Sequence, residues 1–163
     1  MALPEVDKTF AGDGAAEEFL FRDALERVPS VIYVFNVQNG TNVYQNRPLV
    51  DVLGHDGEPS SDQFLDWQKF IHPDDAKKFQ SHTELLKASP DRIAAWTFRL
   101  KDGTNTWRWF LSRDTVLRRD ADGEPLLIVG SAVDITEQKR IEDQAALAVA
   151  EMGHRAKNLA AII

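Results

Sequence analysis

Three strand-like runs late in the chain, separated by aspartate-glycine turns, limit its fold more than any other feature. Trp96, Phe98 and Leu100 alternate with Thr97 and Arg99, a pattern that gives a strand one buried and one wet face. Lys101-Asp102-Gly103 reads as a turn, Trp107 to Arg118 as the next strand, and Asp120-Ala121-Asp122-Gly123 as the turn before a strand over Leu126 to Val133. That is a meander. Upstream, Val31-Ile32-Tyr33-Val34-Phe35 closes at Asn39-Gly40 and is followed by Thr41 to Gln45, which reads as a hairpin. Five antiparallel strands with helices inserted after the second make an α+β plan.

Helical signals fill the rest. Residues 1–16 contain Gly12 and Gly14 and no apolar period, as expected of a flexible lead-in. From Glu17 to Val28 the spacing predicts a helix with Phe21, Leu25 and Val28 on one face, ended by Pro29. Short helices and loops fit Asn46 to Phe70. Pro73-Asp74-Asp75 after His72 resembles a helix start, since proline suits the first turn and acids favour the positive end of the helix dipole. Phe79, Leu85 and Leu86 are its expected inner face. From Thr136 no proline follows and Gly153 is the only glycine, so a helix is expected to the end, capped by Asp134 or Thr136, with Glu137 completing a capping box. The expected organisation is a lead-in over 1–16, a folded domain over 17–135 and a helical segment over 136–163.

Length suits one core plus an appendage, because 163 residues are too few for two full-sized domains. A net charge of -7 without a basic cluster speaks against nucleic acid as a partner. The lack of cysteine removes disulfides, thiolate metal sites, thiol nucleophiles and cysteinyl-flavin photochemistry. No basic leader opens the chain, and no stretch reaches the ~18 consecutive apolar residues of a membrane span, so a cytoplasmic protein without a membrane segment is expected. Histidines and carboxylates have no recognised ligand spacing, which sets aside a metal site and metal-dependent hydrolysis.

Several short motifs, in order, resemble the PAS family of sensory domains. Val43-Tyr44-Gln45-Asn46 followed by Leu53-Gly54 resembles its second strand and "LLG" turn. Phe70-Ile71-His72-Pro73-Asp74-Asp75 resembles the "hHPDD" start of its long helix, and Lys101-Asp102-Gly103 with Trp107-Arg108-Trp109 its "DG…RW" hairpin. Asp134-Ile135-Thr136 is similar to the triad that hands such domains over to an output helix. The resemblance implies a PAS fold over roughly residues 17–136.

The tail carries a second resemblance. Glu151-Met152-Gly153-His154-Arg155-Ala156-Lys157-Asn158 resembles the phospho-acceptor box of the HWE and related histidine kinases, and Ala161 leans toward the HWE branch. It implies that His154 takes a phosphoryl group from ATP and passes it to a response regulator. It also implies that the parent protein carries an ATP-binding catalytic domain, with ATP and magnesium, that these residues lack. One departure stands out: commoner histidine kinases place an acid directly after the histidine, where this chain has Arg155. That acid's role does not carry over.

The residues allow such chemistry. Ile141, Ala145, Ala148, Met152, Ala156, Leu159 and Ile163 share one helical stripe that can pair with a second copy, and its break from a strict heptad between Ala148 and Ala156 looks like a stutter. A homodimer through this helix is expected. His154 lies roughly 120 to 180° from most of the stripe and should face solvent. Histidine's ordinary pKa near 6.5 leaves much of it neutral and able to attack a phosphoryl group. Arg155 and Lys157 can stabilise charge on the transferring group, Glu151 can orient the ring, and Asn158 can position a water for the reverse hydrolysis. The bland alternative is an ordinary solvated helix face.

No cofactor is evident in the sensory part. His82 could serve as an axial haem ligand, but its polar neighbours Ser81, Thr83 and Glu84 favour a surface residue, and neither haem nor flavin is expected. His72 belongs with the helix start. Trp96, Trp107 and Trp109 could line a pocket, although strand-spaced aromatics are more often core or dimer surface, and Trp107 with Trp109 makes one face a candidate dimer contact. The rival functional reading is a non-enzymatic ligand-binding or dimerising module joined to another output.

Overall fold

The alternating runs pair as their turns demand in a computed structural model that describes residues 14–55, 67–88 and 92–160. Strand β1 (Val31–Asn36) turns back into β2 (Thr41–Gln45), while β3 (Ala94–Lys101), β4 (Trp107–Arg119) and β5 (Pro125–Asp134) form the meander. All pairings are antiparallel, in the order β2-β1-β5-β4-β3. The first strand thus lies beside the last. Around the sheet run α1 (Gly14–Arg27), α2 (Leu49–Leu53), α3 (Trp67–Phe70), α4 (Pro73–Ala88) and α5 (Thr136–Ala160). The α+β plan with helices inserted after the second strand is therefore the observed one.

Strand alternation builds the core. Val31 and Phe35, Phe98 and Leu100, Phe110, Ile128 and Ala132 turn one sheet face inward, and Leu53, Ile71 and Leu86 close over it. The inner stripe of α4 differs from the expected one. Leu85 is 61% exposed, whereas Asp75, Phe79, His82 and Leu86, spaced by four, three and four, face the sheet. His82 is consequently no surface residue. On α1, which starts at Gly14 rather than Glu17, Phe21 is exposed while Leu25 and Val28 are half-buried. Residues 1–13, the polar stretch 56–66, Pro90 and Ala161 to Ile163 lie outside the described residues.

The two loops of the "LLG" and "DG" motifs hold each other. Gly103 donates its N–H to the Leu53 carbonyl at 3.0 Å, and the His55 ring stands 2.9 Å from the Lys101 carbonyl. A Cβ on Gly103 would fall 1.9 Å from the Gly54 carbonyl oxygen, and that obstacle is backbone. Gly103→Ala should therefore destabilise the domain by about 1–3 kcal/mol by forcing the loops apart. A urea midpoint equal to that of the unaltered protein would refute this interlock.

Helix α5 is tied to the sheet rather than closed by a capping box. Asp134 accepts the Thr136 N–H at 2.8 Å, Thr136 Oγ1 accepts the Trp109 N–H at 2.9 Å, and Ile135 donates to the Trp109 carbonyl at 2.8 Å. Glu137 instead pairs with Arg140 at 2.8 Å. With the helix starting at Thr136, Asp134 lies one residue too far out for Glu137 to reach back to it. Arg108 completes the junction, bonding Asp134 through two guanidinium nitrogens and the Val52 carbonyl through a third at 2.7 Å. Asp134 is held below the usual carboxylate range: burial opposes this, but Thr136 and Arg108 outweigh it.

Candidate functional site

A cavity of about 60 Å³ lies between the inner sheet face and the helices. Phe35, Trp67, Phe79, Trp96, Phe98 and Ile128 supply apolar wall, and Tyr33, Asn42, Gln45 and Asp114 bring polar groups to it. Of the three tryptophans considered from the sequence, Trp96 reaches this cavity. Trp107 and Trp109 take the other sheet face, Trp107 beside His72 with 4.7 Å between centroids, Trp109 beneath Arg99 and Lys139 at 5.0 and 6.0 Å.

A buried polar cluster forms one side of the cavity. Tyr33 Oη donates to Asp114 Oδ1 at 2.5 Å and lies 2.6 Å from Ser112 Oγ; Ser112 Oγ and His82 Nε2 reach Asp114 Oδ2 at 2.8 and 2.7 Å. His82 is only 3% exposed and stacks on Trp96. Its Nδ1 is buried without a hydrogen-bond partner. Burial first, and then the charge of Asp114, push the Tyr33 phenol well above its ordinary pKa, so it stays a donor. Gly130 makes room: a Cβ there would lie 1.9 Å from Asp114 Oδ1 and 2.6 Å from the Tyr33 oxygen.

Parity in the strands was the available signal for this cluster. Ser112 and Asp114 follow Phe110 at steps of two, at inward positions where a simple pattern demands apolar residues. His82 shares the stripe of Phe79 and Leu86. Opposite them, Tyr33 pairs with Gln45, Val34 with Tyr44 and Phe35 with Asn42, so Val43 is the extra residue of a β-bulge. Asn42 and Gln45 would take opposite faces of a regular strand. The bulge turns both toward the cavity.

The phospho-acceptor residues lie apart from this cavity on α5. Glu151, His154, Arg155, Lys157 and Asn158 are all exposed. Asn158 Nδ2 stands 3.3 Å from His154 Nδ1, whereas Glu151 lies 3.9 Å from Arg155, a surface pair of little energetic weight. On the expected dimer stripe, Ile141 and Met152 are exposed in the single chain; the side chain of Leu159 and all of Ile163 lie outside the described residues. His72 caps α4 with its ring, Nδ1 accepting the Asp74 N–H at 3.2 Å, and among the described residues no cluster of histidine and carboxylate is arranged to hold a metal.

The profile of the family described as the PAS fold matches residues 42–132, more than half of the chain. The chain belongs to the PAS family. Beyond the PAS profile, the two-component sensor PprA of Pseudomonas aeruginosa is 35% identical over 120 residues, covering 72% of this chain. The chain spans 12% of that relative's length. Among solved structures, a sensory box histidine kinase/response regulator from Burkholderia thailandensis aligns with a TM-score of 0.65 at 24% identity, covering 82% of this chain and 98% of that one. An RNA-binding light-oxygen-voltage receptor aligns at 0.64 and 12% identity, covering 92% of this chain and 42% of that one. Both likenesses establish the PAS fold. No described helix is long and apolar enough to cross a membrane.

Proposed function

We propose that this chain is the signal-input and phospho-acceptor segment of an HWE-type two-component histidine kinase. In this reading residues 17–135 perceive the signal and residues 136–163 carry it to His154. One observation carries it: a helix hydrogen-bonded to the PAS sheet at Thr136 presents an exposed His154 within the ordered set Glu151, Arg155, Lys157 and Asn158. Kinship with a two-component sensor supports it.

The chemistry follows from the residues. A half-turn of the Asn158 amide presents Oδ1 to His154 Nδ1; it then accepts the ring N–H and leaves the Nε2 lone pair to attack the γ-phosphorus, which breaks its bond to the β–γ bridging oxygen and releases ADP. Arg155 and Lys157 neutralise charge on the transferring group. ATP and magnesium come with the catalytic domain of the parent kinase, and a response regulator takes the phosphoryl group onward. Two copies pair along Ile141, Ala145, Ala148 and Met152, burying side chains that one copy leaves exposed. The reading needs neither haem nor flavin.

A kinase core supplied in trans with labelled ATP should label this chain, and His154→Gln should remove the label entirely. Label persisting on the variant would overturn the assignment. No label from a competent core would favour the rival reading, a PAS module without phospho-acceptor function.

A further inference from the structure

We propose that the outer face of the sheet is a docking surface for helix α1 of a second copy of this chain. Directly opposed residues share a face, so the strand pairings put Ile32, Val34, Leu111, Val129 and Val133 outward together. An antiparallel sheet with one wet face alternates apolar and polar residues, yet β1 and β5 are apolar on both faces, the pattern of covered strands. Cations flank this apolar centre. Arg99, Lys101 and Arg113 take outward positions on β3 and β4, and no acid shares that face on either strand, in a chain whose net charge is -7.

Helix α1 has the complementary chemistry. Leu20, Phe21, Ala24 and Leu25 share one side of it, and its four acids outnumber its two arginines. Its own domain does not cover that side, because Phe21 is 62% exposed. The Asn46 side chain instead pins the end of α1 to the start of β1: Nδ2 donates to the Leu25 and Ser30 carbonyls at 2.8 and 3.1 Å, and Oδ1 accepts the Ile32 N–H at 2.7 Å. With that end held, the remainder of α1 offers its apolar side to a neighbour. Two sheets packed face to face would oppose like charges, whereas α1 laid on the face brings acids to Arg113 and apolar side chains to the centre. The exchange is reciprocal, each copy giving and receiving one helix about a two-fold axis. Lys139 stands 6.0 Å from the Trp109 ring, so α5 begins at the rim of the same face.

This goes beyond the phospho-acceptor reading and depends neither on His154 nor on pairing along α5. The test uses the full 163-residue chain, whose lack of cysteine lets a single Arg22→Cys variant carry a spin label on α1. That variant is mixed with isotope-labelled unaltered chain and followed by amide-detected NMR, so every paramagnetic broadening seen arises between copies. Amides of β1, β4 and β5 should broaden and should recover when the spin label is reduced. Val133→Asp, at a position 42% exposed, and Arg113→Glu, also exposed, should each remove that broadening when placed in the isotope-labelled chain. Lys77→Glu, the same charge change on the exposed side of α4, should leave it in place. Should either variant of the face lose its melting transition, the other decides alone. Broadening confined to α5 would overturn the proposal and leave the pairing of that helix standing. No broadening between copies, or equal loss with Lys77→Glu and Arg113→Glu, would overturn it as well.

Discussion

Asp114→Ala is expected to destabilise the PAS domain by about 3–5 kcal/mol, a large share of the 5–15 kcal/mol that holds a typical domain together. Three side chains converge on this carboxylate: His82 Nε2, Ser112 Oγ and Tyr33 Oη. Alanine strands all three in a place where the imidazole is already short of one partner at Nδ1 and water has little access. Asp114→Asn should cost less, since one amide oxygen still accepts while its NH2 opposes a donor. A double-mutant cycle with Tyr33→Phe should give a coupling above roughly 1 kcal/mol, because the two groups bond directly. A loss below about 1 kcal/mol for Asp114→Ala in urea unfolding would mean the cluster is solvated, contrary to its burial.

The strands were legible because alternation and turn chemistry are local. Trp96, Phe98 and Leu100 announce their own face, and Asn39-Gly40, Asp102-Gly103 and Asp122-Gly123 announce where pairing reverses. His82 was not legible from its neighbours. Ser81, Thr83 and Glu84 describe the helix's other sides, and the decisive fact is a carboxylate 32 residues away on β4. Likewise Asn42 and Gln45 differ in strand parity, so only the pairing register, with its extra residue at Val43, puts them together. The phospho-acceptor box was legible as an ordered motif on a helix, while the neighbour of the His154 ring was not: Glu151 and Asn158 both sit one turn away, and side-chain geometry decides between them.

The motif residues also explain how a cavity can be joined mechanically to α5. Arg108 bonds both the Val52 carbonyl on α2 and Asp134, and Asp134 in turn holds the first residue of α5. Leu49, in that same α2, lines the cavity. A displacement of α2 therefore has a continuous path of packed side chain and hydrogen bond to the helix that bears His154.

Asp75→Ala should cost about 3 kcal/mol at neutral pH, and most of that cost should vanish in acid. Asp75 is fully buried, 0% exposed, and joins α4 to β3 by accepting the Arg99 backbone N–H at 2.9 Å and two guanidinium bonds at 2.8 and 3.1 Å, with Lys78 at 3.0 Å. Burial alone would raise its pKa. The bonds from the Arg99 side chain, Lys78 and the Arg99 backbone outweigh it and hold the carboxyl at about 2, against 3.8 for a free aspartate. Because the folded value is the lower one, the unfolded chain binds the proton first as pH falls. The charged form thus contributes about 2 kcal/mol above pH 3.8, and that contribution is lost as pH drops through about 2. The remainder of the cost is the cavity and the lost backbone acceptor, which acid does not remove. Unfolding free energies for the two proteins should therefore converge between about pH 4 and pH 2. A constant gap across that window would assign the stability of this helix-to-strand joint to packing alone and remove the ion pair from it.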